Sequence, residues 1–371
     1  MKRLLILTVK ILVIILVLYI FAYPPPIDPE SFQPERPPSA MVGPSKNTPS
    51  DTELLHDVAV LAVGKLSEPR YTTEGRDGLI YTGLRDGRIV RVTPVGGAVQ
   101  DFAVTDGRPM GLAFSPAGPW KDHLMVADAV RGLLAVAPTG AVYVLTTKDD
   151  NRGFGFLVDL AISDDGTVYV TDASFRHDPD RYLHEILEAR PNGRLLQYNP
   201  SRGTTVTLLD NLYFPTGVLL APDESYVLVS ETGRYRITRY WLRGPRAGSS
   251  DIFLNDLPGF PCGLSRGKDT TWIAVASARN AAVDWLHPNS FLKGIVSKVP
   301  VSLWPKMKAG GFVVAIRENS DKGGPHGNIS LILPNDTEQH LRGITSVNEF
   351  RGKLYLGTLH GDGIGVLDLD R

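Results

Sequence analysis

One phrase recurs along this chain: a polar or Asp-Gly turn, an apolar-aromatic run, then another polar turn. It reads DGLIYTG at 77–83, DHLMVADA at 122–129 and DGTVYVTDAS at 165–174, then ESYVLVSETG at 224–233, TTWIAVAS at 270–277 and GKLYLGTLHG at 352–361. Such β-branched and aromatic runs, bounded by Gly, Asp or Pro, form strands. Measured from Tyr81 through Met125, Tyr169, Leu228 and Ile273 to Tyr355, the spacings are 44, 44, 59, 45 and 82 residues. Repeats of roughly 40–50 residues are the size of a propeller blade. Six runs predict an all-β, six-bladed β-propeller.

Composition agrees and excludes other classes. With 37 Gly and 28 Pro among 371 residues, 43% apolar and 21% charged, the chain is globular and rich in turns. A net charge of −1 and the lack of a basic stripe argue against a nucleic-acid partner. Cys262 is the only cysteine, so no intramolecular disulfide can form.

Residues 4–23 are apolar except for Thr8 and Lys10. At about 1.5 Å per residue, a helix of that length spans a hydrocarbon core of about 30 Å. Residues 1–23 therefore read as a transmembrane signal anchor, with Lys2 and Arg3 holding the N-terminus cytoplasmic. The rest of this single-pass chain would then be extracytoplasmic: lumenal, periplasmic or extracellular. A cleaved signal peptide is the alternative, but it lacks a small-x-small site, and Pro24–Pro26 fall where cleavage would occur. Residues 24–53 form a Pro-rich linker, with nine prolines between 24 and 49. It reads either as a semi-rigid spacer or as a segment wrapped on the propeller. The propeller occupies 54–371, and the strand predicted at 54–63 completes the last blade and closes the ring. An insert at 281–306 has apolar residues near helical spacing. It is either a helix packed over the propeller, or a lid or face resting on a membrane.

The phrases YTGLRDGRIVRV at 81–92, GRPMGLAF at 107–114 and the stretch 212–248, with LPGFPCGLSRG at 257–267 and GKLYLGTLHG at 352–361, resemble the strictosidine-synthase-like family, including its adipocyte plasma-membrane-associated branch. The resemblance extends over almost the whole chain after residue 60. It implies a six-bladed propeller related to paraoxonases and gluconolactonase-like hydrolases. It also implies a calcium ion in the central channel that polarises an ester or lactone carbonyl.

Carried over residue by residue, the implied ligand set is altered. A family Glu corresponds to Arg70, and an Asn to Val158, next to a retained Asp159. A further family Asn corresponds to Thr216, and the Asp and Asn of the Pro-Asp-Asn motif correspond to Cys262 and Gly263. Valine has no donor atom, and a guanidinium repels a divalent ion. Cysteine suits softer metals than calcium. The glutamate that strictosidine synthase uses in its last blade corresponds to Thr345, with Glu349 nearby, so condensation chemistry has no support. No Gly-x-Ser-x-Gly pattern supplies a nucleophile, and the eight histidines show no metal-ligand spacing.

Arg70, Val158, Asp159, Thr216, Cys262 and Gly263 are thus the candidate ligand-binding residues at the channel mouth, with no metal or other cofactor expected unless the family's calcium-dependent activity persists. The expected partner is a small molecule, and an anionic one is suited to Arg70. Three functions follow. The first is a pocket that has lost its metal chemistry, as a ligand-binding protein or degenerate hydrolase. The second is an active esterase or lactonase using Asp159, Glu68 or Glu231 for a metal, and the third is a protein-interaction module. Arg70 paired with Glu68, an inert buried Cys262, and framework roles for Asp172, Glu231 and Arg234 are the structural alternatives. Asn328 and Asn335 fit the N-glycosylation triplet.

Overall fold

The computed structural model describes residues 6–8, 10, 11, 19, 21–37, 58–305, 310–317, 329–332 and 340–369. Its strands form six four-stranded antiparallel sheets. The six sequence phrases become the second strand of each sheet: Ile80–Gly83, Leu124–Asp128, Val168–Asp172, Tyr226–Glu231, Thr270–Ala278 and Lys353–Thr358. These strands are covered on both faces by neighbouring blades, so their apolar runs are continuous rather than alternating. The polar turns before them are local devices. Asp165 Oδ1 accepts from Thr167 N at 2.9 Å, and Gly166 takes φ +88°, a conformation that favours glycine.

The first strand of each sheet lines the axis: Thr72–Glu74, Pro109–Phe114, Leu157–Ile162, Pro215–Leu220, Gly259–Arg266 and Ile344–Phe350. All six start at the same end of the channel. Ring closure is as the sequence predicts. Ala59–Leu61 adds to the last sheet by pairing with Ile364–Asp368, with Ala59 opposite Val366. The N-terminal part of the expected strand, 54–57, lies outside the described residues.

The two long spacings mark two insertions, both between the second and third strands of a blade. One holds the helix Tyr182–Glu188; the other holds the helices Ala281–Leu286 and Ser290–Ser297 and a turn at Val301–Leu303. Second-to-third connections lie at the end where the inner strands begin, so both insertions rise over the same channel mouth. Capping fixes their starts: Asn280 accepts from Ala282 N, and Asn289 from Leu292 N.

Residues 24–37 do not stand free of the propeller. Ile27 is buried with Leu187, Leu286 and Trp304. Glu30 N donates to Glu188 O at 2.9 Å, and Phe32 N to His287 O at 3.0 Å. This part of the Pro-rich segment is a strap across the inserted helices. Most of the expected anchor, along with 38–53, Asn328 and Asn335, lies outside the described residues. No helix among the described residues is long and apolar enough to cross a membrane.

Crowding at the axis yields a first prediction. A Cβ on Gly217 would strike the Cys262 carbonyl of the next blade, and one on Gly263 would lie 2.7 Å from Thr345 O. Gly217→Ala should therefore destabilise the fold by about 1–3 kcal/mol, the usual cost of overpacking, read as a lower denaturant midpoint at unchanged m-value.

Candidate functional site

At the start of its inner strand each blade offers one residue to the channel: Arg70, Met110, Val158, Thr216, Cys262 and Thr345. Together with Tyr71, Phe156, Phe214 and Phe260 they surround a cavity of about 60 Å³. The structure thus brings together four of the candidates, Arg70, Val158, Thr216 and Cys262. Asp159 and Gly263 sit one residue further in and line a separate cavity of about 250 Å³ at the far end of the channel. Tyr71 lines both cavities and closes the axis between them, its Oη donating to Thr216 O at 3.2 Å.

The ring donors are already committed to the protein. Thr345 Oγ1 donates to Arg70 O at 2.7 Å, and the Thr216 and Thr232 hydroxyls share a 2.6 Å hydrogen bond. Asp159 accepts from Leu160 N at 2.9 Å and Val218 N at 3.2 Å. Burial nevertheless pushes its carboxyl up to about 8, so it is protonated at neutral pH. Burial also pushes the Cys262 thiol up to about 11, which makes it a poor nucleophile.

A hard cation needs several anionic or carbonyl oxygens. A guanidinium, a valine, a thioether, a neutral thiol and engaged hydroxyls do not fit calcium. No group of three or more His, Cys, Asp or Glu among the described residues could hold a metal. The alternative set of Asp159, Glu68 and Glu231 is not assembled either. Glu231 is buried against Arg236, 2.7 Å away, and accepts from Tyr213 N.

Above the ring lies a charged cluster. Glu68 receives Arg70 at 3.0 Å, Arg108 at 2.8 Å and Arg85 at 2.8 Å, with His360 Nδ1 3.5 Å away. Asp180 takes the other side of Arg108 at 2.9 Å and of Arg85 at 3.4 Å. Burial alone would raise the Glu68 carboxyl, but His360 and the guanidiniums of Arg70, Arg108 and Arg85 outweigh it and hold it well below the usual carboxylate range. The cluster counts three guanidiniums against two carboxylates and so keeps a net positive charge. Arg70, only 8% exposed, has its Nε buried with no hydrogen-bond partner. Burial and then repulsion from Arg108 lower its affinity for its proton. The pairing of Arg70 with Glu68 is the structural alternative noted from sequence, yet Arg70 also lines the ring cavity and keeps its Nε unpaired.

The inserted helices roof the ring with a third cavity of about 320 Å³, lined mostly by apolar side chains including Leu183, Leu187, Val283, Leu286, Val296 and Trp304. It shares Tyr182, Ile186, Phe260, Ala276 and Leu359 with the cavity at the ring, so the two adjoin. Tyr182 Oη and His360 Nε2 lie 3.2 Å apart across the mouth. Sequence reasoning missed Met110, Tyr182, Phe260, Trp304 and His360. The signal that pointed to the roof was the pair of long spacings.

The remaining candidates are framework. Asp172 holds Arg194 at 2.9 Å, and Arg234 stacks between Tyr213 and Phe32 at 3.9 and 4.1 Å. Glu349 accepts from Trp272 Nε1 at 2.8 Å, away from the ring.

Comparison with known proteins agrees with this architecture. Residues 158–245 match the family described as strictosidine synthase, and 52–92 that described as strictosidine synthase-like, N-terminal. The adipocyte plasma membrane-associated protein of Danio rerio is 31% identical over 98% of this chain and 89% of its own length. Strictosidine synthase-like 10 of Arabidopsis thaliana is 32% identical over 78% of this chain and 82% of its own. Against strictosidine synthase-like 13 of the same plant, at 32% identity over 60% of this chain, the match spans 61% of the relative. A gluconolactonase from Xanthomonas campestris superposes with a TM-score of 0.61, at 14% identity, over 93% of this chain and 98% of its own. A regucalcin from Agrobacterium tumefaciens, described as calcium-binding, gives 0.54 at 12% identity, over 84% and 92%. At those identities the likeness is one of fold.

The matched stretch 158–245 includes the roof helix Tyr182–Glu188, which is held by a buried acid. Glu185 accepts from Ser174 Oγ at 2.7 Å and Asn192 Nδ2 at 3.1 Å. Burial pushes its carboxyl up to about 8, opposed by these two bonds and aided by Glu188. Between its ordinary value and about 8 the unfolded chain has lost this proton while the folded chain keeps it. Stability should therefore fall as pH rises through that window, by up to about 1.4 kcal/mol per unit. Glu185→Gln should remove this share of the slope, measured by urea unfolding at about pH 5 and about pH 8.

Proposed function

We propose, from the premise that this chain belongs to the strictosidine synthase-like family, that its channel binds a small amphipathic anion and no longer carries out metal-dependent chemistry. The single observation that carries this reading is Arg70: a buried guanidinium at the ring with an unpaired Nε, in a cluster of net positive charge, beneath an apolar cavity of about 320 Å³. The cluster would receive a carboxylate through charge-assisted hydrogen bonds. The roof cavity would take an aryl or alkyl body, whose burial supplies affinity at roughly 25 cal/mol per Å² of apolar area. Tyr182 and His360 stand at the joint between the two cavities and would orient the ligand. On this reading the protein is a ligand-binding propeller or degenerate hydrolase, membrane-anchored through residues 4–23.

The test pairs metal content with binding. The purified full chain should contain no stoichiometric calcium, and hydrolysis of phenyl acetate or a lactone should not respond to chelator. Phenylacetate should bind, and its uncharged methyl ester should bind more weakly. Arg70→Met should weaken phenylacetate binding roughly 10- to 100-fold, about 1.5–3 kcal/mol, with little change for the ester, read by calorimetry. Stoichiometric calcium with chelator-sensitive turnover would overturn this reading in favour of an active esterase or lactonase.

A further inference from the structure

The roof layer has a second side. Val283, Leu286, Val296 and Trp304 face the cavity or the core beneath it. From the same layer Trp285 is 69% exposed, Phe291 61% and Leu303 73%, with Val299 and Val301 also exposed. The helix Ser290–Ser297 turns Leu292 and Val296 inward but carries a second apolar side outward. Lys293 and Ser297 are buried, Lys293 Nζ donating to the carbonyls of Glu30 and Glu188, while Phe291 faces outward. A soluble surface helix keeps its outward side polar, and exposed large apolar side chains mark an interaction surface.

The chain itself indicates what covers this surface. The last described residues of the apolar run 4–23 lie against the roof. Phe21 and Phe291 rings are 6.2 Å apart, Tyr19 Oη donates to Lys298 O at 3.4 Å, and Lys298 Nζ donates to Tyr23 O. Pro25 and Pro29 then pass over Gly294, and Ile27 is sealed beneath. The strap thus fixes where the apolar run leaves the propeller, at the edge of the outward aromatic surface. A run of about 20 apolar residues belongs in a bilayer, and the surface beside its exit point is then held at the lipid boundary. Tryptophan and phenylalanine fit that boundary, where aromatic rings sit among headgroups.

We propose that the outer side of the roof, carried by Trp285, Phe291 and Leu303, is a docking surface for a lipid bilayer. It lies in the headgroup–acyl boundary beside the point where residues 4–23 enter. The propeller is then seated on the membrane by its channel mouth rather than tethered at a distance from it.

The test uses the full chain reconstituted into phosphatidylcholine vesicles, made either with ordinary or with dibrominated acyl chains, which quench tryptophan on contact. Trp285 is the exposed reporter; Trp272 and Trp304 are buried. The brominated vesicles should remove roughly a fifth of the emission, the share of one tryptophan among five. Trp285→Phe, a change at an exposed position, should abolish that loss. Equal emission in the two vesicles would overturn the proposal, because it places the roof in water or against a second copy of the chain. Quenching that persists in full in Trp285→Phe would overturn it as well, by placing the lipid contact elsewhere.

Discussion

Everything at the channel mouth depends on the crowding of six inner strands around one axis. All six start at the same end, so one residue near the start of each faces the axis, and the residue behind it must be small where a neighbouring blade presses close. Gly111, Gly217 and Gly263 occupy such places; a Cβ on Gly111 would lie 2.7 Å from the Asp159 Cα. The ring therefore has six positions, and their chemistry is set by one side chain each. With Met110, Val158 and Cys262 supplying no hard oxygen, the hydroxyls of Thr216 and Thr345 turn to neighbouring groups. The charge of Arg70 becomes the dominant electrostatic feature. A guanidinium so buried is tolerable only because Glu68 lies 3.0 Å away, and Glu68 in turn gathers Arg108 and Arg85.

The blade plan was legible in the sequence because it rests on local chemistry. Asp-Gly turns such as Asp165–Gly166 and continuous apolar runs such as Val168–Val170 need no distant partner to be recognised. The closing strand was legible for the same reason, as a strand with no blade upstream. The ring was legible only through resemblance: Arg70, Val158, Thr216 and Cys262 were named because ligand positions aligned, while Met110, though inside the phrase at 107–114, matched no ligand position and was missed. The roof cavity was not legible. Its walls come from 182–187, 283–305 and 342–360, and no local pattern joins segments so distant. The strap was one of two open readings of the Pro-rich segment, for a different reason. Proline-rich composition sets extension and stiffness but not adhesion, and the decision to dock rests on single residues such as Ile27, buried beside Trp304.

The same insertions that form the cavity explain why its floor is polar and its walls are not. The strands present one side chain near the start of each blade, and those six must also satisfy one another. The roof is free of that constraint: its helices turn Val283, Leu286 and Val296 down and leave the opposite side available. Lys293 shows how firmly the layer is fixed. Burial and the neighbouring Arg234 bring it down to about 8, and its amine is shared between the strap and the end of the helix Tyr182–Glu188. Strap, roof and cavity are thus one packed unit, and a change in the strap is felt in the wall of the pocket.

Electrostatics shows what the altered ring retains on the proposed reading. A divalent ion held by carboxylates and carbonyls offers a strong field and a Lewis acid in one object. Arg70 with Glu68, Arg108 and Arg85 offers a weaker positive field, fixed in direction and unable to accept an electron pair. Such a field holds a carboxylate, while the ring itself supplies no ionised base: Cys262 is a thiol, and Glu68 above the ring is a carboxylate engaged by three guanidiniums. A cavity that attracts a charged head and buries an apolar body is physically suited to retention. That suitability, rather than the loss of any one ligand, is the reason to read the channel as a binding site.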